Sequence, residues 1–322
     1  MAISMKMEYT TLGTTGVKIS RIGLGAWQFS QAWGVTEYST AREIISRALE
    51  LGVNLIDTAM VYGRGLSEEF IGKALRELDV KRDDVVIATK IPGEFLAYDD
   101  VFKAVDKSLK RLQVDYIDLM QVHWPPCWHN HPTCEYMRAL ERLVVIGKIN
   151  YIGLSDFPVE LVDAARACLS RSDVEVLQVR YNIVERQAEK ELIPYAEENG
   201  MTLLAWSPLA KGAILGKYSL EEAEQLEDVR RDDPLFKKEN YQQILRVAEI
   251  LKELGEKYDK TPAQVALNWL IGYSDIIVPI PGAKNPQQVE DNVKAVGWRL
   301  SYDDWRRLDE ATKSLRITYV TW

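Results

Sequence analysis

The chain has 322 residues, 47% of them hydrophobic and 27% charged, which excludes a disordered or fibrous protein. Acidic side chains outnumber basic ones by 48 to 40, and the resulting charge of −8 argues against nucleic acid or an anionic membrane surface as a partner. No apolar run reaches the roughly 20 residues that a membrane-crossing helix needs. The opening MAISMKMEYT lacks the apolar core of a secretion signal, so the expected location is cytoplasmic.

A hairpin is expected over 9–20, turning at Gly13 to Gly16. The first of eight short apolar runs follows at 22–26. Thr40 and Glu43 read as a capping box for a helix over 39–51, with Ile44, Ile45, Ala48 and Leu49 on one face and Gly52 as its stop. Runs at 54–59 and 85–90 precede a helix over 99–112, whose Val101, Val105, Leu109 and Leu112 share a face. Then come a run at 116–123, a helix over 134–146, a run at 151–155, a helix over 159–169, a run at 176–180, a helix over 187–198 and a run at 201–207. A charged stretch over 217–238 is expected to cross the mouth of the fold, before helices over 239–257 and 261–271 and the eighth run at 276–281.

The runs lack polar alternation, as parallel strands buried on both faces should. Eight such strands with interposed helices fit an α/β protein, a single-domain (β/α)8 TIM barrel over residues 1–322 with an N-terminal hairpin and excursion loops at the mouth. An open dinucleotide-binding sheet would carry Gly-x-Gly-x-x-Gly after a strand, and the chain has no such motif.

In a barrel the active site gathers at the carboxyl ends of the strands. The polar or aromatic residues found there are Asp57, Lys90, His123, Ser155, Gln178 and Trp206. Any one of them alone reads most simply as a cap or a solvated side chain. Their convergence is what matters, because burying Asp57 and Lys90 is costly unless they pair. Tyr62, five residues after Asp57, completes a mechanism: an ammonium within reach favours its phenolate, Asp57 keeps the ammonium charged, and Tyr62 becomes a usable proton donor. His123 would be a second donor or would orient a carbonyl oxygen.

With these residues in view, the sequence resembles the aldo-keto reductase family, in the branch of the general prokaryotic enzymes and the channel β-subunits. The resemblance is carried by Asn54-Leu55-Ile56-Asp57-Thr58-Ala59 with Tyr62-Gly63, Ala88-Thr89-Lys90, Gln121-Val122-His123-Trp124-Pro125, and Gly147-Lys148-Ile149 leading into Tyr151-Ile152-Gly153-Leu154-Ser155-Asp156-Phe157. Gln178-Val179-Arg180-Tyr181-Asn182, Trp206-Ser207-Pro208-Leu209 and Ile280-Pro281-Gly282-Ala283-Lys284 extend it beyond Asn292. It implies carbonyl reduction by a nicotinamide dinucleotide, without metal, with Asp57, Tyr62, Lys90 and His123 as the catalytic tetrad.

The resemblance also implies a cofactor site. Ser155, Asp156 and Gln178 would hold the carboxamide, Asp156 standing where many members have asparagine, and Trp206 would stack on the ring. Ser207, Pro208, Leu209, Ala210, Lys211 and Gly212, with Lys217, would follow the pyrophosphate. Gly282, Lys284, Gln288, Asp291 and Asn292 would grip the adenosine half, and Gly25, Ala26 and Trp27 would complete the wall. Lys284, helped by Arg230, favours NADP(H), while NAD(H) stays possible because many NADP-specific relatives have an arginine where Gln288 stands.

Trp27, Tyr62, His123, Trp124 and Trp128 would wall the substrate pocket, with the end from Tyr319 to Trp322 as a further candidate wall, for a small aldehyde or ketone. No protein partner is indicated, although an NADPH-binding regulatory subunit with little turnover is the alternative reading.

The three cysteines, Cys127, Cys134 and Cys168, read as reduced thiols. The segment from Cys127 to Cys134 also holds His129 and His131, enough ligand types for zinc and hence for a hydrolase, though in none of the standard spacings. A surface loop is the leading reading there, with zinc or a Cys127–Cys134 disulfide as alternatives.

Overall fold

The computed structural model describes residues 7–30, 34, 35, 37–126 and 129–319. Strands β1 (Tyr9–Thr11) and β2 (Lys18–Ser20) form the antiparallel hairpin. Eight parallel strands follow: β3 (Leu24–Gly25), β4 (Leu55–Asp57), β5 (Val86–Ile91), β6 (Ile117–Val122), β7 (Ile149–Ser155), β8 (Val174–Arg180), β9 (Thr202–Trp206) and β10 (Ile277–Pro279). They lie side by side in chain order. Gly23 N–H donates to Pro279 O at 2.9 Å and Gly25 N–H to Pro281 O at 3.1 Å, which joins the first strand to the last and closes the sheet. At this seam a Cβ on Gly25 would lie 2.6 Å from the Ile280 carbonyl oxygen, so only glycine lets the two strands meet.

Around the sheet run α1 (Tyr38–Glu50), α2 (Leu66–Glu77), α3 (Tyr98–Leu112), α4 (Thr133–Val145), α5 (Val159–Arg166), α6 (Leu192–Glu198), α7 (Leu220–Glu224), α8 (Lys238–Tyr258), α9 (Pro262–Tyr273), α10 (Pro286–Val293) and α11 (Tyr302–Lys313). Two apolar layers result. Alternate strand residues such as Ile56, Ile87, Met120 and Leu177 face the helices. Leu55, Val86, Ala88, Leu119, Val176, Leu204 and Val278 fill the interior with Leu12 and Ile19 of the hairpin, which plugs the amino end of the barrel.

Side chains alternate across a strand, so the next inward position after each of these is fixed. Leu55 points inward, hence Asp57. Ala88 does, hence Lys90; Leu119, hence Gln121; Val176, hence Gln178; Leu204, hence Trp206. One polar layer thus lies directly above the apolar filling, at the open carboxyl end.

Several expectations need correction. The capping box at Thr40 and Glu43 is not formed: α1 starts earlier, after Glu37, with no side-chain cap. The helix expected over 187–198 is broken into a short 3-10 turn, Gln187–Glu189, and α6, because Pro194 lacks an amide hydrogen and fits only near a helix start. Neither α2 nor α11 is among the expected elements. The cysteines are not all thiols, since Cys134 at the start of α4 is bonded to Cys168, just after α5, with Cα atoms 5.0 Å apart. That bond also removes the Cys127–Cys134 pairing and takes Cys134 out of any zinc set. Cys127 and Trp128 lie outside the described residues, as do Val320, Thr321 and Trp322. Among the described residues no helix is long and apolar enough to cross a membrane.

Candidate active site

The polar layer forms the floor of a cleft of about 610 Å³ at the carboxyl end of the strands. Lys90 sits beneath it, fully buried, with its ammonium donating to Asp57 Oδ1 at 2.6 Å, to the Thr58 carbonyl at 2.8 Å and to the Tyr62 hydroxyl at 3.4 Å. Burial alone would push the lysine pKa down. The charge of Asp57, with the contact to Tyr62, outweighs that cost and raises it, so the ammonium is held charged.

The other oxygen of Asp57 is also held. Gln178 Nε2 donates to Oδ2 at 2.8 Å and Gln121 Nε2 at 3.2 Å, while Gln178 also donates to Gln121 Oε1 at 3.1 Å. Room for Gln121 comes from Gly153 on the next strand, where a Cβ would lie 2.8 Å from Gln121 Cγ. Gln121 is a site residue that inspection of strand ends misses, since it lies within its strand; the inward alternation with Leu119 is the signal that points to it.

Tyr62 stands on the tight turn after β4, where Gly63, Arg64 and Gly65 all have positive φ. It is half-buried and faces the cleft. Burial pushes its phenol above the ordinary value, and the Lys90 ammonium opposes this without reversing it. The expectation that Lys90 brings the Tyr62 pKa below normal is therefore corrected: in the open cleft the phenol is held protonated. His123 meets Tyr62 edge to face, with ring centroids 5.8 Å apart, and packs on Trp124 at 4.4 Å. Its Nδ1 is buried without a hydrogen-bond partner. Burial, reinforced by the nearby Lys90 charge, pushes the imidazole pKa down to about 2, so His123 is neutral.

Asp57, Tyr62, His123, Ser155, Asp156, Gln178 and Trp206 all line the cleft. So do Gly25, Ala26, Trp27, Trp124, Ser207, Pro208, Leu209, Lys211, Gly212, Lys217, Arg230, Gly282, Lys284, Gln288, Asp291 and Asn292. Ala210 does not; it is fully buried behind its loop. Gln28, Val61, Leu215, Tyr218, Ala263, Ile280 and Pro281 line it as well, without having been expected. Leu215 and Tyr218 enter because the segment after β9 does cross the mouth, a path that no local pattern specifies.

The loop after β9 has left-handed backbone at Ser207 (φ 52°), Ala210 (50°), Lys211 (52°) and Gly212 (89°), and it leaves the Ser207 hydroxyl buried with no partner. Such a run turns amide groups toward a common side, a cradle for an anion. Charged residues brace it: Asp233 Oδ2 pairs with Lys211 at 2.7 Å and with Arg180 at 3.0 Å, and Arg180 also pairs with Glu185 at 2.8 Å. Asn182 Nδ2 donates to the Ser207 carbonyl at 3.1 Å, and Tyr319 donates to Glu185 at 3.0 Å, which ties in the C-terminal segment. Arg230 donates to Asp228 at 2.6 Å and to the Tyr218 hydroxyl at 2.9 Å. At the far end Lys284 N–H donates to Gln288 Oε1 at 2.8 Å, and Gln264 Nε2 donates to Asp291 at 2.6 Å.

The cleft is long, with an acid-bearing cluster at one end, an amide-rich loop in the middle and lysine at the other, and its orphaned Ser207 hydroxyl and His123 ring nitrogen await partners. These features fit an extended anionic dinucleotide together with a small carbonyl compound. Among the described residues, no three histidine, cysteine, aspartate or glutamate side chains are grouped to hold a metal ion.

The chain is 37% identical over 314 residues to the aldo-keto reductase YhdN of Bacillus subtilis (strain 168), covering 94% of this chain and 93% of the relative. It is 32% identical over 333 residues to an NADH-specific methylglyoxal reductase of Escherichia coli (strain K12), covering 96% and 99%. A probable voltage-gated potassium channel subunit beta of Arabidopsis thaliana is 33% identical over 311 residues, covering 90% and 91%. Among solved structures, a glycerol dehydrogenase from Gluconobacter oxydans superposes with a TM-score of 0.84 at 31% identity, covering 100% of this chain and 98% of that one. An aldo/keto reductase from Klebsiella pneumoniae in complex with NADP and acetate gives 0.74 at 27%, covering 92% and 93%. The sequence model of the Aldo/keto reductase family matches residues 21–313, and the chain belongs to that family, whose members use nicotinamide cofactors.

Proposed function

We propose that the protein is an NADP(H)-dependent reductase of aldehydes and ketones, of the alcohol:NADP+ oxidoreductase type. The observation that carries this reading is the Asp57–Lys90–Tyr62 cluster beside a neutral His123 on the cleft floor. A bound dihydronicotinamide supplies hydride. Tyr62 gives its hydroxyl proton to the carbonyl oxygen. Lys90 stabilises the phenolate left behind, and Asp57, fixed by Gln121 and Gln178, holds Lys90 in place. Neutral His123 donates a hydrogen bond that orients the carbonyl. In alcohol oxidation Tyr62 acts as the base.

Ser155, Asp156, Gln178 and Trp206 would hold the nicotinamide end, the loop from Ser207 to Gly212 with Lys217 the pyrophosphate, and Gly282, Lys284, Gln288, Asp291 and Asn292 the adenosine end. Lys284 and Arg230 supply positive charge for a 2′-phosphate, although Arg230 is partly matched by Asp228. NADP(H) is thus preferred and NAD(H) usable, as the differing cofactors of the two reductases compared above allow. Trp27 and Trp124 wall the substrate side.

The test is optical: oxidation of NADPH and NADH across aromatic aldehydes, short aliphatic aldehydes, dicarbonyls and open-chain sugars, repeated with Tyr62→Phe. Turnover should fall by roughly 10²- to 10⁴-fold in the variant while dinucleotide affinity is kept. Unchanged turnover would remove Tyr62 from the chemistry. The similarity to a channel β-subunit favours a second reading, a dinucleotide-binding regulatory subunit, which predicts tight NADPH binding, negligible turnover over the whole panel and a stable protein partner.

A further inference from the structure

Asp156 is the one carboxylate of the cleft floor that the proton-transfer cluster does not use. It follows β7 in left-handed backbone (φ 56°), its N–H donating to the Gln178 carbonyl at 2.9 Å. Its Oδ1 accepts from the Trp206 indole N–H at 3.1 Å. Its side chain is open to water within the cleft yet surrounded by protein, and its charge is felt at Tyr62 and at Lys90.

The cations nearby are matched by other acids: Lys90 by Asp57, Arg180 by Glu185 and Asp233, and Lys211 by Asp233. Among the described residues Asp156 itself has no ion-pair partner. Burial pushes its carboxyl upward, and the Trp206 hydrogen bond and the Arg180 and Lys90 charges only partly oppose this. The anion is therefore under-compensated, and a cation placed against it is stabilised.

Hydride and proton must reach adjoining atoms of one carbonyl group, so the nicotinamide ring has to approach Tyr62, on the cleft that Trp206 and Asp156 also line. The reduced ring is neutral and the oxidised ring carries a positive charge. We propose that Asp156 is the counter-charge of the oxidised ring, so that this protein binds oxidised dinucleotide more tightly, relative to reduced, than an uncharged residue there would allow. On the protein, the state in which hydride has already been given up is stabilised, and release of oxidised cofactor is slowed. The inference rests on the reductase reading.

The experiment is titration of intrinsic fluorescence with NADP+ and with NADPH separately, in the wild type, Asp156→Asn and Asp156→Ser, without substrate. Both variants should weaken NADP+ relative to NADPH by roughly three- to tenfold, the scale of one unit-charge pair a few ångströms apart when screened as in water, to which the cleft is open. Asparagine keeps the shape and serine does not, so a common shift identifies charge as the cause. If both dinucleotides bind and the affinity ratio is unchanged in the variants, the inference is overturned and the reductase reading stands. If neither binds the wild type, both are overturned.

Discussion

On the proposed reductase reading, Tyr62 and His123 divide the work at the reacting carbonyl through their protonation states, and the pH profile reports both. The Tyr62 phenol is raised above its ordinary value of about 10, so it stays protonated through neutral pH and beyond. Reduction uses the protonated form; its rate should hold steady from about pH 6 to 9 and decline only at higher pH. Oxidation uses the phenolate and should instead rise with pH. With its pKa near 2, His123 contributes no limb on the acid side. Profiles of kcat/KM in both directions check this, and a reduction rate that changes through the ordinary histidine range would show that His123 titrates there. Asp57, Lys90, Tyr62 and His123 are legible in the sequence because each closes an apolar run or lies in the loop just after it. Gln121 is not, because nothing in a run of apolar residues marks which face a glutamine occupies until its neighbours' directions are known. The net rise at Tyr62 is equally hidden: sequence supplies the opposing ammonium, but only the enclosed geometry supplies the larger effect of burial.

Strands were easier to anticipate than helices or cross-links for a physical reason. A buried parallel strand is apolar along its whole length, so all eight runs contain the observed strands or overlap them closely. Helix starts depend on turns: α2 begins after Gly65 in left-handed backbone, with no capping side chain to announce it. The link from Cys134 to Cys168 depends on α4 and the end of α5 being neighbours on the outside of the barrel, with a whole strand between the two cysteines in sequence. It carries a prediction for these elements. Of the three cysteines, one thiol should react with a colorimetric reagent in the unreduced, denatured protein and three after reduction. Cys168→Ser should lower unfolding stability by about 2–4 kcal/mol in urea titrations. Three reactive thiols before reduction would show that the bond does not form.

At the scale of the molecule the barrel depends on its seam, where β3 receives the last strand through a backbone approach that leaves no room for a side chain at Gly25. Gly25→Ala should destabilise the protein by about 1–3 kcal/mol through local overpacking and weaken dinucleotide binding, since Gly25 and Gly282 both border the cleft. Urea unfolding and fluorescence titration of the same variant check the two effects, and full binding with lost stability would separate seam from cleft. The barrel itself was legible from the order of elements, whereas the crossing of the mouth by the segment after β9 was legible only as a charged interruption, because its path is set by contacts such as Asp233 with Arg180 and Lys211. The seam has a further consequence for synthesis. As the chain leaves the ribosome, β3 emerges long before β10, so the growing sheet has an unpaired edge at each end until β10 is made. Those edges invite pairing with other nascent chains, and the arrival of β10 removes both at once.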